Sequence, residues 1–293
     1  MNTLLKKISL FAENQNYRYF GYPKLAGLWL KNARKRYRIV SLRDAAQLRT
    51  SDTLFIVGSG PSIKRVSSDQ WAHVRRHDSF GINYSFLLDF VPKFQTIEDD
   101  RTPLGKVFYR PFMEGRFGRC RDKYRDTVMF ITDRHVYRYI HPRFVPALFP
   151  DNPIVCVYEY PSVINFESDR PFKKEDFRQT VIYRGSLTGV LHVAFSLGYK
   201  KIVLLGVDLQ TSAHFFDDMP EMKPYLDEYR KSVGGLGKKY ESMVAKGEKY
   251  RTMQEYLYAL NDLYCVPREI ELNVGNKDNI LADKIRIYQW GDA

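Results

Sequence analysis

The sequence predicts an α/β fold, a Rossmann-like and mostly parallel sheet with helices on both faces and a lid segment. Three stretches carry that reading. From Thr188 to Leu197 the apolar residues Val190, Leu191, Val193, Ala194 and Leu197 recur at helical spacing, and Gly198 stands where a helix commonly stops. Lys201–Leu205 follows as a short leucine and β-branched run of the kind buried in a parallel sheet. Thr53–Ser62, TLFIVGSGPS, is a second β-rich run, and it enters a Gly-Ser-Gly-Pro-Ser turn as the first βα unit of an open α/β sheet does.

The other elements fall in place around these. The pattern predicts a helix over Ser67–Arg76, a strand over Ser79–Tyr84 with Asn83 near its end, and a strand over Lys93–Asp100 that finishes in Glu98, Asp99 and Asp100. Val128–Thr132 and Ile154–Tyr160 read as further strands, Thr252–Tyr264 as an amphipathic helix and Glu269–Val274 as a last strand. His73 and His77, in or beside a basic helix, read as solvated histidines. Met219–Lys249 is polar and interrupted by Gly234, Gly235 and Gly237, which suits either a mobile lid or a plain surface excursion.

With 293 residues and 44% hydrophobic content the chain can build one large core. Residues 51–293 read as that domain, with the lid around 217–250, and residues 1–50 as a basic N-terminal arm. The first 40 residues carry nine Lys and Arg against a single acid, Glu13. Leu4, Leu5, Ile8 and Phe11 repeat there at helical spacing. Two readings of the arm stay open: a segment lying on anionic lipid, or a helix packed on the body with its lysines in water.

A formal charge of +12 points to an anionic partner, whether a nucleotide, an acidic glycan or the inner face of a membrane. Nucleic acid is set aside, because no zinc-finger, homeodomain-like or RNP-type pattern is present. Cys120, Cys156 and Cys265 are widely spaced and odd in number, so they read as reduced structural thiols. No apolar run approaches the roughly 20 residues of a membrane span, and no signal-peptide pattern occurs. The expectation is a cytoplasmic protein, with peripheral contact on the inner face of the inner membrane as the role open to the arm.

Polar residues gather at both ends of the central helix and strand. Arg184, Gly185, Ser186, Thr188 and Gly189 place a guanidinium, hydroxyls and backbone N–H groups at the positive end of a helix dipole, which is an anion site. Asp208 and His214 follow the strand, at the carboxyl edge where open α/β sheets place their ligands. Gly58 and Gly60 let a phosphate or ribose approach the backbone, or form only a tight turn. Asp99 and Asp100 either contact an acceptor's hydroxyls, hold a divalent metal, or belong to a charged loop.

FIVGSGPSIK, FGIN, YRGSLTGVLHVAFSLGYKKIVLLGVDL and the late helix–strand pair occur in that order. Together they resemble the bacterial sialyltransferases of glycosyltransferase family 42, within a wider group that includes the motility-accessory-factor flagellin glycosyltransferases and pterin pyrophosphokinase-like proteins. The similarity covers roughly Leu54–Asn276 and is strongest in the first turn and the central unit. It implies a GT-A-like variant of the Rossmann-like fold that takes a CMP-activated sialic acid or a related acid such as Kdo. The sugar would pass, with inversion, to a glycan or lipid-linked glycan acceptor in lipopolysaccharide or capsule biosynthesis. It further implies chemistry without a metal cofactor, with Mg2+ left open by the Asp99–Asp100 pair.

Carried onto this chain, the resemblance assigns nucleotide contacts to Gly58, Ser59 and Gly60 and matches Asn83, Arg184, Ser186 and Thr188; Ser62 and Gly189 are added to the expected nucleotide site, with Arg184 expected at the departing phosphate. Ser59 stands where the family has asparagine. The family's phosphate-binding tyrosines are replaced near Gln210 and His214, and its lid histidine has no counterpart around Gly247–Thr252. His214, the histidine at the strand ends beside Asp208, suits a general base or a partner of the leaving phosphate, or is a plain loop histidine, and Asp208 either serves the catalysis, directly or by orienting His214, or only caps the following loop. Two rivals remain at this stage, a pyrophosphokinase-like phosphoryl transferase and a non-enzymatic polyanion-binding protein.

Overall fold

The computed structural model describes residues 38–96, 121–132, 154–158, 185–211, 213–227 and 252–291. Among them nine strands form one sheet: β1 (Arg38–Val40), β2 (Thr53–Val57), β3 (Asp78–Ile82), β4 (Phe94–Thr96), β5 (Val128–Thr132), β6 (Ile154–Tyr158), β7 (Lys201–Leu205), β8 (Glu271–Val274) and β9 (Arg286–Ile287). Their order is β1-β6-β5-β4-β3-β2-β7-β8-β9, and every neighbouring pair is parallel. The chain runs outward from β2 on one side through β3 to β6, and from β7 on the other through β8 and β9. The order therefore reverses between β2 and β7, where such sheets open a crevice beyond their carboxyl ends.

After their first residues, Thr53 and Lys201, the two central strands are apolar and buried because both faces of the sheet are covered. Leu54 and Ile56 of β2, with Ile202 and Leu204 of β7, face one core layer that also takes helices α1 (Leu42–Gln47), α3 (Ser186–Ser196) and α4 (Met253–Leu260). Phe55, Val57, Val203 and Leu205 face the other layer, with Val74 of α2 (Ser68–Arg75), the turn after β3, and Phe215, Phe216, Met222 and Leu226. The α/β, Rossmann-like architecture with helices on both faces is thus the observed one. Ser41, Ser67 and Thr252 each start a helix with a reciprocal capping box.

Several element bounds differ from the sequence expectation for local reasons. Residues 38–47, inside the span read as an arm, form the edge strand β1 and the helix α1, with Val40 and Ala45 in the core. β3 ends at Ile82, because Asn83 takes a left-handed φ of 48° and opens a tight turn over Asn83–Leu87. Of the strand expected over Lys93–Asp100, Phe94–Thr96 is observed, and Glu98, Asp99 and Asp100 lie outside the described residues. Regular α-helix stops at Leu260 and passes through a π turn, Asn261–Cys265, before Pro267, which offers no N–H to continue the ladder. β8 begins at Glu271, two residues late, since Glu269 sits at φ 55° to end the helical segment.

His73 and His77 are not the solvated histidines expected. Helix α2 lies against Phe55 and the C-terminal segment, so His73 Nε2 pairs with the Tyr288 hydroxyl at 2.8 Å and His77 Nδ1 with Ser51 Oγ at 2.8 Å. Of the lid span, residues 217–227 pack on the body through the buried Met222 and Leu226, and 228–250 lie outside the described residues. Cys156 and Cys265 are buried free thiols, and burial pushes both pKa values up to about 12. Among the described residues no helix is long and apolar enough to cross a membrane. These residues hold 18 Lys and Arg against 18 Asp and Glu, so the whole formal +12 belongs to the remainder of the chain.

Candidate functional site

The turn after β2 is built onto the strand end of β7. Gly58 N–H donates to Leu205 O at 2.8 Å, Gly60 N–H to Gly206 O at 2.7 Å, and Phe215 N–H to Ser59 O at 2.9 Å. Three consecutive turn residues are thereby locked to the segment that carries Asp208 and His214. A Cβ on Gly58 or on Gly60 would come within 3.0 Å of Gly206 O, and one on Gly60 would also strike the Asp208 carboxylate. Gly206 itself stands at φ 62°. The glycines of this turn are thus required by backbone packing inside the protein, quite apart from any ligand.

Asp208 and Ser62 meet across this junction. The Ser62 N–H donates to Asp208 Oδ2 at 2.6 Å, which aims the carboxylate at the start of the helical turn Pro61–Arg65. Asp208 Oδ1 and Ser62 Oγ are both buried and both lack a hydrogen-bond partner. Buried polar atoms are nearly always paired, and an orphaned one commonly marks a place where another group binds. The loop around them is pinned from below by Asn279, whose amide donates to Val207 O at 2.8 Å. At the rim Lys64 pairs with Asp218, and Arg65 with Asp278 at 2.8 Å.

His214 stands beside the turn. Its Nδ1 lies 3.1 Å from Ser59 Oγ, its backbone N–H donates to Asp217 Oδ2 at 2.8 Å, and its ring stacks on Phe216 at 4.8 Å and meets the edge of Tyr84. Burial among these rings disfavours the imidazolium and lowers the pKa. The Asp217 carboxylate and a hydrogen bond to the Ser59 backbone pull the other way without reversing it. The ring is consequently neutral at neutral pH, the state a proton acceptor needs.

Tyr84 links this group to the third edge of the crevice. Its neighbour Asn83 donates from Nδ2 to Ser186 Oγ at 2.8 Å, which joins the end of β3 to the first turn of α3. Gln95, wholly buried, donates to Asn83 O at 3.3 Å and to Thr96 O at 2.8 Å, holding Asn83 in its left-handed turn. Thr188 Oγ1 bonds back to Gly185 O at 3.1 Å, and Gly189 is buried within the helix.

Gly58, Ser59, Gly60, Ser62, Asp208 and His214 therefore form one contiguous group, and Tyr84 connects it to Asn83, Ser186 and Thr188. Arg184, Asp99 and Asp100 lie outside the described residues. Gly206, Tyr84, Gln95 and Phe216 were not picked out from the sequence. Gly206 carried a signal, a glycine directly after a buried strand, whereas the apolar character of Tyr84 and Phe216 reads as ordinary core. Among the described residues no group of three His, Cys, Asp or Glu could hold a metal ion.

No family model matches the chain, and no curated protein does. Among solved structures it is similar to the Campylobacter jejuni sialyltransferase CstII in complex with the analogue CMP-3FNeuAc, at 18% identity over 81% of this chain and 86% of that one, with a TM-score of 0.42. It is also similar to the monofunctional alpha-2,3-sialyltransferase Cst-I of Campylobacter jejuni, at 16% identity over 82% of each chain, with a TM-score of 0.42. CstII in complex with a trisaccharide acceptor and CMP gives 17% identity, 81% and 86% coverage and a TM-score of 0.40. At these values the likeness assigns no activity to this chain.

Proposed function

We propose that this chain is a glycosyltransferase that takes a sugar from a nucleotide-activated donor in the crevice between β2 and β7. One observation carries the reading: Asp208 Oδ1 and Ser62 Oγ, buried and unpaired at the switch point of the sheet, with the neutral His214 beside the same turn. A carboxylate oxygen accepts and repels phosphate, so this pair suits the hydroxyls of a ribose or sugar. The donor's phosphate belongs at the other edge, near Ser186, Thr188 and the first turn of α3.

His214 takes the proton of the acceptor hydroxyl as that oxygen bonds to the anomeric carbon. The bond from that carbon to the phosphate oxygen breaks, and its electron pair leaves with the nucleotide. A single displacement of this kind inverts the carbon. The motif resemblance supports CMP as the nucleotide, a sialic acid or related acidic sugar as the cargo, and a glycan as the acceptor. Eight Lys and Arg against one acid within residues 1–37, beside described residues whose Lys and Arg equal their Asp and Glu, support peripheral attachment of the arm to an anionic membrane surface.

The test is thermal unfolding with CMP and with ATP, each with and without Mg2+, on the wild type and on Asp208→Asn. At about 100 times its Kd, CMP stabilises the wild type by about 2.7 kcal/mol without metal, and the variant responds weakly. A response confined to ATP with Mg2+ would move the assignment to phosphoryl transfer. Silence toward both nucleotides would end the reading.

A further inference from the structure

We infer that Gln95 is a positioning residue: its buried amide sets the Asn83 turn and, through the bond from Asn83 to Ser186, the crevice edge that receives the donor's phosphate. This rests on the proposed reading of that edge as the phosphate site, and it adds what holds the edge in shape. Gln95 is wholly buried, which strips its carboxamide of water at a depth that sheets normally fill with apolar side chains. Room is made for it. Gly81 stands opposite Gln95 in the β3–β4 register, and a Cβ there would collide with Gln95 Oε1 and Ser85 Oγ. Nε2 faces two carbonyl oxygens, Thr96 O at 2.8 Å and Asn83 O at 3.3 Å, which can only accept, so the orientation of the amide is fixed. Oε1 takes the Ser85 hydroxyl at 3.3 Å.

Both ends of the amide therefore bear on the turn Asn83–Leu87. Asn83, at φ 48°, occupies a region that side chains rarely adopt, and such a conformation persists where its surroundings over-determine it. From that turn the Asn83 amide reaches Ser186 Oγ at 2.8 Å. Ser186 opens α3, and its cap residue Gly185 has no side chain to bond the N–H groups of the first turn. Those N–H groups and the Ser186 hydroxyl are what the proposed phosphate meets. If the turn relaxed, the partner of Ser186 would move with it. A side chain closed to ligand and solvent thus governs the shape of the phosphate edge, and it does so from the strand next to the one that carries Asn83.

The experiment is calorimetric titration of CMP and of cytidine, which differ by the phosphate alone, into the full-chain wild type, Gln95→Met, Asn83→Gly and the double variant, each corrected for its folded fraction. The wild type binds CMP more tightly than cytidine. Gln95→Met keeps the bulk of the side chain and removes the whole amide, and it should weaken CMP roughly tenfold, the effect of one bond to a charged group, while cytidine is unchanged. Asn83→Gly accepts the left-handed backbone without the side-chain amide, so adding Gln95→Met to it should weaken CMP no further. Gln95→Asn keeps a buried amide one carbon short of Asn83 O, and it takes the place of the methionine variant should that fail to fold, with the same selective loss expected. A role confined to stability would lower the urea midpoint and leave the CMP-to-cytidine ratio at the wild-type value. That result overturns the inference, as does an undiminished further loss in the Asn83→Gly background. A wild type that binds cytidine as tightly as CMP, or binds neither, instead removes the phosphate from this edge, and the part given to Gln95 falls with it.

Discussion

The Tyr199 hydroxyl donates to Asp78 Oδ2 at 2.7 Å, tying the start of β7 to the start of β3 at the end of the sheet opposite the crevice. Asp78, 1% exposed, also accepts from Thr50 Oγ1 and Lys93 Nζ at 2.6 Å each, and from the Thr50 and Ser51 N–H groups at 2.9 and 3.3 Å. Burial alone would raise its pKa, but the bonds from Lys93, Thr50 and Tyr199 outweigh it and the net shift is downward. A carboxyl whose folded pKa is depressed contributes stability above its unfolded pKa, near 3.9, and loses it as pH falls through the folded value. Asp78→Asn should cost about 3 kcal/mol in urea denaturation at pH 7, because Lys93 is left without its buried partner, and the loss should shrink below pH 4. An equal deficit at pH 3 and pH 7 would show that charge has no part in this anchor.

His192 predicts a different acid limb. It lies buried in α3 with Nε2 3.3 Å from the Tyr256 hydroxyl, and desolvation lowers its pKa to about 4. Its folded pKa is below the unfolded value near 6.5, so the unfolded chain binds the proton first. Stability is complete above pH 6.5 and declines as pH falls toward 4, by about 3 kcal/mol at most. His192→Gln should make the curve shallower between pH 6.5 and 4, where His214 still contributes, while leaving the decline below pH 4, to which Asp78 contributes. An unaltered slope between 6.5 and 4 would remove His192 from the account.

The turn glycines give a sharper structural test. Gly60→Ala brings a methyl against Gly206 O at 2.8 Å and against the Asp208 carboxylate, and neither can retreat without breaking the bonds that lock the turn to β7. We expect a loss of about 1–3 kcal/mol, the range for forced overpacking. Gly291→Ala, with nothing within 4 Å of its new Cβ, serves as a neutral control. A Gly60→Ala protein as stable as the control would mean that the turn yields.

How much of this was legible in the sequence depends on range. Lys201–Leu205 coincides with β7 because the apolar run Ile202–Leu205 of a buried parallel strand needs only local pattern to be seen. Asp208 and His214 were singled out from their place just past that strand, and the fold sets both against the turn after β2. The function of Gly58 and Gly60 in packing on Gly206 was not, since a glycine meant for a phosphate and one meant for a backbone look alike until the facing strand is known. The histidines of α2 went wrong for a similar reason: Tyr288 and Trp290, which cover that helix's side of Phe55, arrive more than 200 residues later. Asn83 was chosen as a strand-end polar residue, yet its left-handed turn and its support by Gln95 are tertiary facts.

Ser62 offers the prediction that separates binding from stability. Its hydroxyl is buried without a partner, so the ligand-free protein bears a desolvation cost that a methyl in its place would not. Ser62→Ala keeps the N–H that donates to Asp208 Oδ2 and removes only the orphaned oxygen. Without ligand the variant should be more stable than the wild type by about 1 kcal/mol, read as a higher urea midpoint at unchanged slope. With CMP present the order should reverse, because the wild-type hydroxyl then finds its partner and the variant has none to offer. A variant more stable in both states would show that Ser62 Oγ takes no part in holding the nucleotide, while one less stable in both would mean the hydroxyl is already satisfied within the fold.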